Sequence, residues 1–377
     1  MKRLLPVLTV GACLMTTPLA AEPIVPTPAE AQAVAFMQQD EAWFVAHLKG
    51  PREVSEGHAL DPRLQYVLEN VTRPAATPAV KAQMRAVYAS EAGRTATRAA
   101  LDRYWATRTA PVEGVLATDR SIPTRGGDLP VRIFVPAALQ GVKSAPVLVY
   151  YHGGGFMFGS LDAFDPSLRA LARDLKMIVV APGYRLAPEH PYPAAHQDAA
   201  DAWAWVAAHA AEFGGDAKRL SLGGDSAGGT LALSVALKQK KAATRPAGLL
   251  LYYPGVDRVN SYPSMTELGS GYGLDADNLE YLAAQVYPAG TTPPAEDASP
   301  MQADLKGLPA TVIVTAGFDP LKDSQRAFAD KLSGAGVTVK RLHYPSLIHA
   351  FLQTTAYVPA AQKAQTESAT LFAQTRK

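Results

Sequence analysis

One serine stands out for the company it keeps. The run Leu220-Ser221-Leu222-Gly223-Gly224-Asp225-Ser226-Ala227-Gly228-Gly229 leads straight into the apolar stretch 231–237. Its G-x-S-x-G spacing is that of a nucleophile on a sharp strand-to-helix turn. Residues two positions to either side of such a serine must be small for strand and helix to approach, and Gly224 and Gly228 meet that need. The turn would lift the Ser226 hydroxyl to the carboxyl end of a sheet. The N-terminus of the following helix favours negative charge developing beside it. The chemistry this suits is attack on an acyl carbonyl.

A second run supplies what that attack would require. The apolar segment Val147-Leu148-Val149-Tyr150-Tyr151 runs into His152-Gly153-Gly154-Gly155-Phe156. Consecutive glycines let several backbone N–H groups converge, because no side chain blocks the approach. In the loop Gly153–Gly155, the N–H groups of Gly154 and Gly155, with that of Ala227, are expected to form an oxyanion hole. A phosphate loop is the rival use, but no G-K-[ST] follows and no helix opens at once. His152 is expected to anchor the loop by hydrogen bonds rather than to act as a base. Phe156, Met157 and Phe158 are candidates for a substrate pocket and equally for ordinary core.

The base and the acid that orients it must come from later strands. Of the eight histidines, His343 lies inside an apolar β-like run and reads as a half-buried structural residue. His349 falls just past that run, in Ser346-Leu347-Ile348-His349-Ala350-Phe351. A loop there can reach a serine at the carboxyl end of the sheet, so His349 is the favoured base. Asp319 follows the strand-like Thr311–Thr315 and is the favoured acid, with Asp257 the alternative. Asp319-Pro320 also has the form of a helix N-cap with proline at the first position, and Asp323 would then be a supporting carboxylate. The order Ser226, Asp319, His349 matches the order known for the G-x-S-x-G fold.

The supporting elements are marked by β-rich runs at 129–135, 147–151, 177–181, 220–222, 248–252, 311–315 and 337–344. Thr124–Asp128 has the composition of a hairpin loop at their start. Helical segments are expected at 166–174, 194–211, 227–241, 321–334 and 360–375. Alternation of near-continuous apolar strands with helices predicts an α/β fold, a mostly parallel central sheet covered on both faces. Before it, residues 22–110 read as a Pro-rich linker and a mainly helical cap, with Asp61-Pro62 and Thr77-Pro78 as helix starts. The catalytic domain is expected to span 111–377. Within it, 257–300 forms an excursion over the active-site end, with a helix at about 277–287.

Composition narrows the partners. With 36 basic and 34 acidic side chains in 377 residues and a net charge of +2, no basic stripe suited to nucleic acid is present. No cluster has metal-ligand spacing, so no metal or other cofactor is implied, and a small molecule is the expected partner. Lys2 and Arg3, an apolar run and then Ala20-Ala21 read as an export leader over residues 1–21, pointing to a periplasmic or secreted protein. The run is too short and too broken by Pro6 and Gly11 for a stable membrane span. Val10-Gly11-Ala12-Cys13 has the form of a lipoprotein box, but apolar residues continue past it, which favours the ordinary leader. Cys13 is the single cysteine, so a chain cut after Ala21 has neither disulfides nor a reactive thiol. The sequence is compatible with a monomer or a homodimer.

Four blocks together resemble the hormone-sensitive-lipase-like branch of bacterial esterases and lipases within the α/β-hydrolase superfamily. They are His152-Gly153-Gly154-Gly155-Phe156; Tyr184-Arg185-Leu186-Ala187-Pro188-Glu189-His190-Pro191; Gly224-Asp225-Ser226-Ala227-Gly228-Gly229; and Asp319-Pro320-Leu321 with His349-Ala350-Phe351. The similarity runs from about Leu116 to Leu352. It implies a carboxylesterase acting on short- to medium-chain esters, with Ser226 as nucleophile, Asp319 as acid, His349 as base and Gly154, Gly155 and Ala227 as oxyanion donors. The Tyr184–Pro191 block is expected to provide rigidity through hydrogen bonds of Arg185, Glu189 and His190. Ala350 departs from the family, which has glycine beside the histidine. An amidase or peptidase, or a lipase, would use the same triad. A non-catalytic binding protein on this scaffold is the alternative of a different class.

Overall fold

The change of hydrophobic period near Val112 becomes a change of architecture. In the computed structural model, which describes residues 19–375, helices dominate before it and a twisted sheet after it. Among the described residues the sheet has a two-residue edge strand, Leu19–Ala20, and eight longer strands: β1 (Val115–Thr124), β2 (Gly127–Pro136), β3 (Ala145–Tyr151), β4 (Ile178–Pro182), β5 (Gly215–Asp225), β6 (Leu249–Tyr252), β7 (Thr311–Phe318) and β8 (Val339–Ile348). The spatial order of the longer strands is β1-β2-β4-β3-β5-β6-β7-β8. β1, β2 and β4 pair antiparallel, and every pair from β4 to β8 is parallel. The hairpin joining β1 to β2 pairs Thr124 with Gly127, within the loop expected from composition.

Both faces are covered, and the strands' period of two explains how. Val147, Val149 and Tyr151 of β3 pack with helices Ala194–His209, Ala227–Gln239 and Lys322–Gly334. Leu148 and Tyr150 point the other way, towards helices Leu161–Leu175 and Pro359–Thr375. Each such side chain contributes roughly 2 kcal/mol on leaving water. A one-residue register slip would turn all of them to the wrong face, so the register is strongly specified.

The helix read as 166–174 starts earlier, at Leu161, with Pro166 inside it. Ser160 caps it by accepting the Ala163 N–H at 3.1 Å. The first turn, Leu161–Asp165, lies ahead of the proline and is set by that cap. In the N-terminal region Asp61 and Thr77 cap helices Pro62–Val67 and Pro78–Tyr88 as expected. A small unpredicted hairpin pairs Val54–Ser55 with His58–Ala59. The excursion helix lies at Ala276–Val286. Lys81 reaches its first turn at Asp275 and Asp277, 2.6 and 3.0 Å away, and Arg85 stacks over Tyr281. These contacts fasten the excursion to the N-terminal helices.

Most of the expected leader, including Cys13, lies outside the described residues. Its last residues, Leu19–Ala20, form a two-residue antiparallel strand against Thr118–Asp119 at the outer edge of β1. Among the described residues no helix is long and apolar enough to cross a membrane, and no cluster of His, Cys, Asp or Glu has metal-binding geometry.

Candidate active site

Four strands deliver the chemistry at their carboxyl ends. His152 follows β3, Ser226 follows β5, Asp319 follows β7 and His349 follows β8. Ser226 adopts φ 51° and ψ −118°, a conformation that costs an L-residue on the order of 1–3 kcal/mol and must be imposed from outside. Its N–H donates to Tyr252 O at 2.9 Å, and its carbonyl accepts from Thr230 and Gly255 N–H, each at 3.2 Å. A side chain on Gly224 would strike the Gly228 carbonyl, and one on Gly228 the Tyr151 carbonyl. These two glycines are therefore a packing necessity, as their spacing suggests.

Around Ser226 a hydrogen-bonded chain assembles. His349 Nε2 lies 2.9 Å from Ser226 Oγ, and His349 Nδ1 lies 2.9 Å from Asp319 Oδ2. Asp319 is fully buried. Its other contacts are the Leu321 N–H at 2.8 Å and Gln325 Nε2 at 3.2 Å, both donating to it. The Leu321 bond closes a turn ahead of the next helix, Lys322–Gly334, whose N-cap is Leu321 with no side-chain cap. Asp319-Pro320 is thus not the helix N-cap its form suggests, and the carboxylate is left to face the imidazole. The Tyr253 ring packs 4.8 Å from that of His349. Ala350, next in the chain, has φ 61° and ψ 29°. That left-handed backbone is what glycine would adopt freely and alanine adopts at a cost.

The glycine loop sits opposite. Gly154 has φ 113° and Gly155 φ 62°, conformations that glycine adopts without strain. A Cβ on Gly154 would meet the Phe158 carbonyl, and one on Gly155 would lie 2.7 Å from Leu282 Cδ1 of the excursion helix. Among the described residues, no hydrogen bond uses the N–H of Gly154, Gly155 or Ala227. Three donors are thus free near the end of the helix that begins at Ala227. Asp225 holds the loop's base: its Oδ1 accepts from the Gly153 N–H at 2.9 Å and from Tyr150 Oη at 3.1 Å. Burial pushes the Asp225 carboxyl up to about 7 despite these donors. His152 is buried beneath. Its ring stacks on Tyr184 at 4.3 Å and its Nδ1 meets Gly153 O at 2.8 Å, while Tyr184 Oη donates to His152 O. Burial holds the imidazole near pKa 4, so it is neutral at ordinary pH.

A family model described as the alpha/beta hydrolase fold matches residues 148–353 of this chain. Carboxylesterase NlhH of Mycobacterium tuberculosis is 40% identical over 242 residues, 63% of this chain and 75% of its own. Carboxylic ester hydrolase LipN of the same organism is 35% identical over 319 residues, 80% of each chain. Among solved structures, an ester hydrolase from the Lake Arreo metagenome superposes with TM-score 0.71 at 32% identity, over 79% of this chain and 98% of its own. The esterase rPPE gives TM-score 0.76 at 28% identity, over 86% and 99%. The chain belongs to the hormone-sensitive-lipase-like esterases of the alpha/beta-hydrolase superfamily.

This esterase, a serine ester hydrolase, leaves other candidates elsewhere. His343 is exposed on β8 rather than half-buried as its run suggests, and its Nδ1 meets Thr315 Oγ1 at 2.9 Å; desolvation of the ring lowers its pKa. Asp257 binds Tyr262 Oη, Asn260 and Ser299 at the root of the excursion. Asp323 accepts the Ser264 N–H at 2.9 Å and so supports helix Pro263–Glu267. Met157 is buried in a small cluster with Ala187 and Val286, and Phe156 and Phe158 pack at its edge against Tyr281, Leu282 and Tyr287. In the Tyr184–Pro191 block, Arg185 forks onto Asp198 and Glu189 binds Arg94 and Arg98. His190 is exposed, and its backbone N–H rather than its ring makes the local bond, to Leu186 O. Sequence reasoning gave Asp225, Tyr150 and Gln325 no role. Only the position of Asp225 inside the serine motif hinted at one.

Proposed function

We propose that Ser226 is the nucleophile, His349 the general base and Asp319 the acid that orients it, with the N–H groups of Gly154, Gly155 and Ala227 as the oxyanion hole. The observation that carries this reading is the continuous Ser226–His349–Asp319 hydrogen-bond chain, each link 2.9 Å. Ser226 Oγ attacks the ester carbonyl carbon as His349 Nε2 takes its proton. The tetrahedral oxyanion meets the free N–H donors, where such preorganised dipoles stabilise developing charge. The intermediate collapses with the C–O bond breaking, and His349 returns the proton to the departing alcohol. Water, deprotonated by His349, then cleaves the acyl-Ser226 ester to release the acid. Buried Asp319 fixes the tautomer with Nε2 free to accept.

The substrates proposed are short- to medium-chain carboxylic esters. Leu282 close over Gly155, and Phe158 packed against Tyr88 at 5.4 Å, support a compact acyl site. One relative, from Pseudomonas putida, is named ethyl acetate hydrolase. A p-nitrophenyl ester series from acetate to palmitate, with wild type and Ser226→Ala, tests the reading. Turnover is expected to peak at short chains and to vanish in the variant. Full turnover by Ser226→Ala would refute the nucleophile, and faster cleavage of matched amides would refute the ester preference. Export is proposed on the leader-like residues 1–21; N-terminal sequencing of the protein recovered from a bacterial periplasm or medium is expected to begin near Glu22.

A further inference from the structure

The glycine turn is held from two sides, and only one of them belongs to the sheet. Asp225 fixes its start through the Gly153 N–H. Its far end is closed on itself, since Met157 and Phe158 N–H both donate to Gly154 O, at 3.1 and 2.9 Å. Gly154, Gly155 and Phe156 carry three successive positive φ values, the last on a residue with a large side chain. Such a turn is strained and relaxes unless its outward carbonyls are engaged. One of them, Phe156 O, accepts the Ala187 N–H at 2.9 Å. The next, Met157 O, accepts Nε of Arg98 at 2.8 Å.

Arg98 comes from the cap helix Glu91–Arg108, not from the catalytic domain. Its guanidinium also donates from Nη2 to Ala187 O and to Glu189 Oε2, each at 2.8 Å, and from Nη1 to Glu189 Oε1 at 3.1 Å. Arg94, one turn earlier on the same helix, donates to Glu189 Oε1 at 2.6 Å. One planar fork therefore ties the cap to both segments that frame the glycine turn. We infer that Arg98 is a positioning residue for the oxyanion hole, so that Gly154 and Gly155 are correctly presented only while the cap helix is docked. The inference rests on the oxyanion role proposed above. Lysine cannot substitute, because a single ammonium on a flexible stem does not span two carbonyls and a carboxylate at once.

The test is kinetic. Arg98→Ala and Arg98→Lys are compared with wild type on p-nitrophenyl acetate, alongside inhibition by a phenylboronic acid, which forms a tetrahedral serine adduct. Misplacement of catalytic groups by about 1 Å costs up to roughly 100-fold. The expected result is a fall in kcat of about 10–100-fold in Arg98→Ala with KM within about threefold, and boronate affinity falling with kcat. Guanidinium at sub-denaturing concentration should restore part of the lost kcat in Arg98→Ala and leave wild type unchanged. A loss of stability alone would produce neither the rescue nor the parallel loss of boronate affinity. Activity of Arg98→Ala within twofold of wild type overturns the inference, as does a loss confined to KM with boronate affinity intact. If Arg98→Ala does not fold, Arg98→Lys carries the test: the same kcat-borne loss is expected, and wild-type kcat overturns it. Ser226→Ala in the same assay separates the two readings. An inactive Ser226→Ala beside a fully active Arg98 variant refutes the clamp alone, whereas an active Ser226→Ala refutes the mechanism beneath it.

Discussion

Replacing Asp319 by asparagine separates the charge and the tautomer from the shape of the site. The carboxylate is fully buried and accepts from His349 Nδ1, the Leu321 N–H and Gln325 Nε2. In Asp319→Asn the Leu321 N–H still requires an oxygen at Oδ1, so the new NH2 group stands where Oδ2 stood, facing the imidazole. An NH2 group cannot accept from Nδ1–H. The ring is driven to the tautomer that carries its proton on Nε2, and that nitrogen can no longer take the Ser226 proton. Gln325 accommodates the change, because its Oε1 is buried without a partner and a half-turn of the amide offers that oxygen to the new donor. The stability cost is therefore expected to be only about 1–2 kcal/mol. The catalytic cost is larger. A wrong tautomer in a serine protease triad lowers kcat about 10⁴-fold, or roughly 5 kcal/mol of barrier. Steady-state kinetics on p-nitrophenyl acetate near pH 8, with urea unfolding in parallel, reads both. A folded variant with kcat within tenfold of wild type would refute the reasoning. Asp257→Asn is the control. Its carboxylate serves Tyr262, Asn260 and Ser299, and kcat is expected to stay within about threefold of wild type.

Three further outcomes follow from the geometry. Ala350→Gly relieves a left-handed residue at φ 61° and is expected to stabilise by about 0.5–1 kcal/mol after the added entropy of the unfolded chain; an unchanged or lower urea midpoint would count against it. Asp225 has its carboxyl raised from 3.8 to about 7 by burial. Its stabilising contribution is thus full below about pH 4 and lost as pH rises through 7. Asp225→Asn removes that titration and keeps an acceptor for Gly153, so the variant should gain stability relative to wild type between pH 5 and pH 8, and a constant difference across that range would contradict the assignment. His343→Ala deletes the contact with Thr315 Oγ1 and should lower the melting temperature while leaving kcat within about twofold of wild type. A hundredfold loss of kcat on the same ester would return His343 to consideration as the base.

Much of the scaffold was legible because its causes are local. Near-continuous apolar runs marked β3, β6 and β7, since each strand has both faces buried. Glycines at 224 and 228 marked the serine turn, since backbone approaches there within contact distance. Strand ends were read less well. β5 runs eleven residues, Gly215–Asp225, where only 220–222 was marked, because its first half is polar and its last three residues are Gly-Gly-Asp, so neither end carries an apolar pattern. The pocket candidates also divided: Met157 proved to be core under the excursion helix, which no spacing in Phe156-Met157-Phe158 could indicate.

The sequence by itself determined the sheet, the serine turn, the glycine loop and a short list of bases and acids, because each depends on residues within a few positions of one another. Tertiary structure decided which members of that list meet. His349 and Ser226 are 123 positions apart in the chain, and their contact exists only because β5 and β8 are parallel strands of one sheet that end on the same side. It also decided what holds the loop. Asp225 reaches Gly153 across 72 positions and Arg98 reaches Met157 across 59, and neither bond leaves a mark in spacing or periodicity. Hydrogen bonds between side chains and distant backbone are set by how elements pack, and packing is the one quantity a linear pattern does not carry.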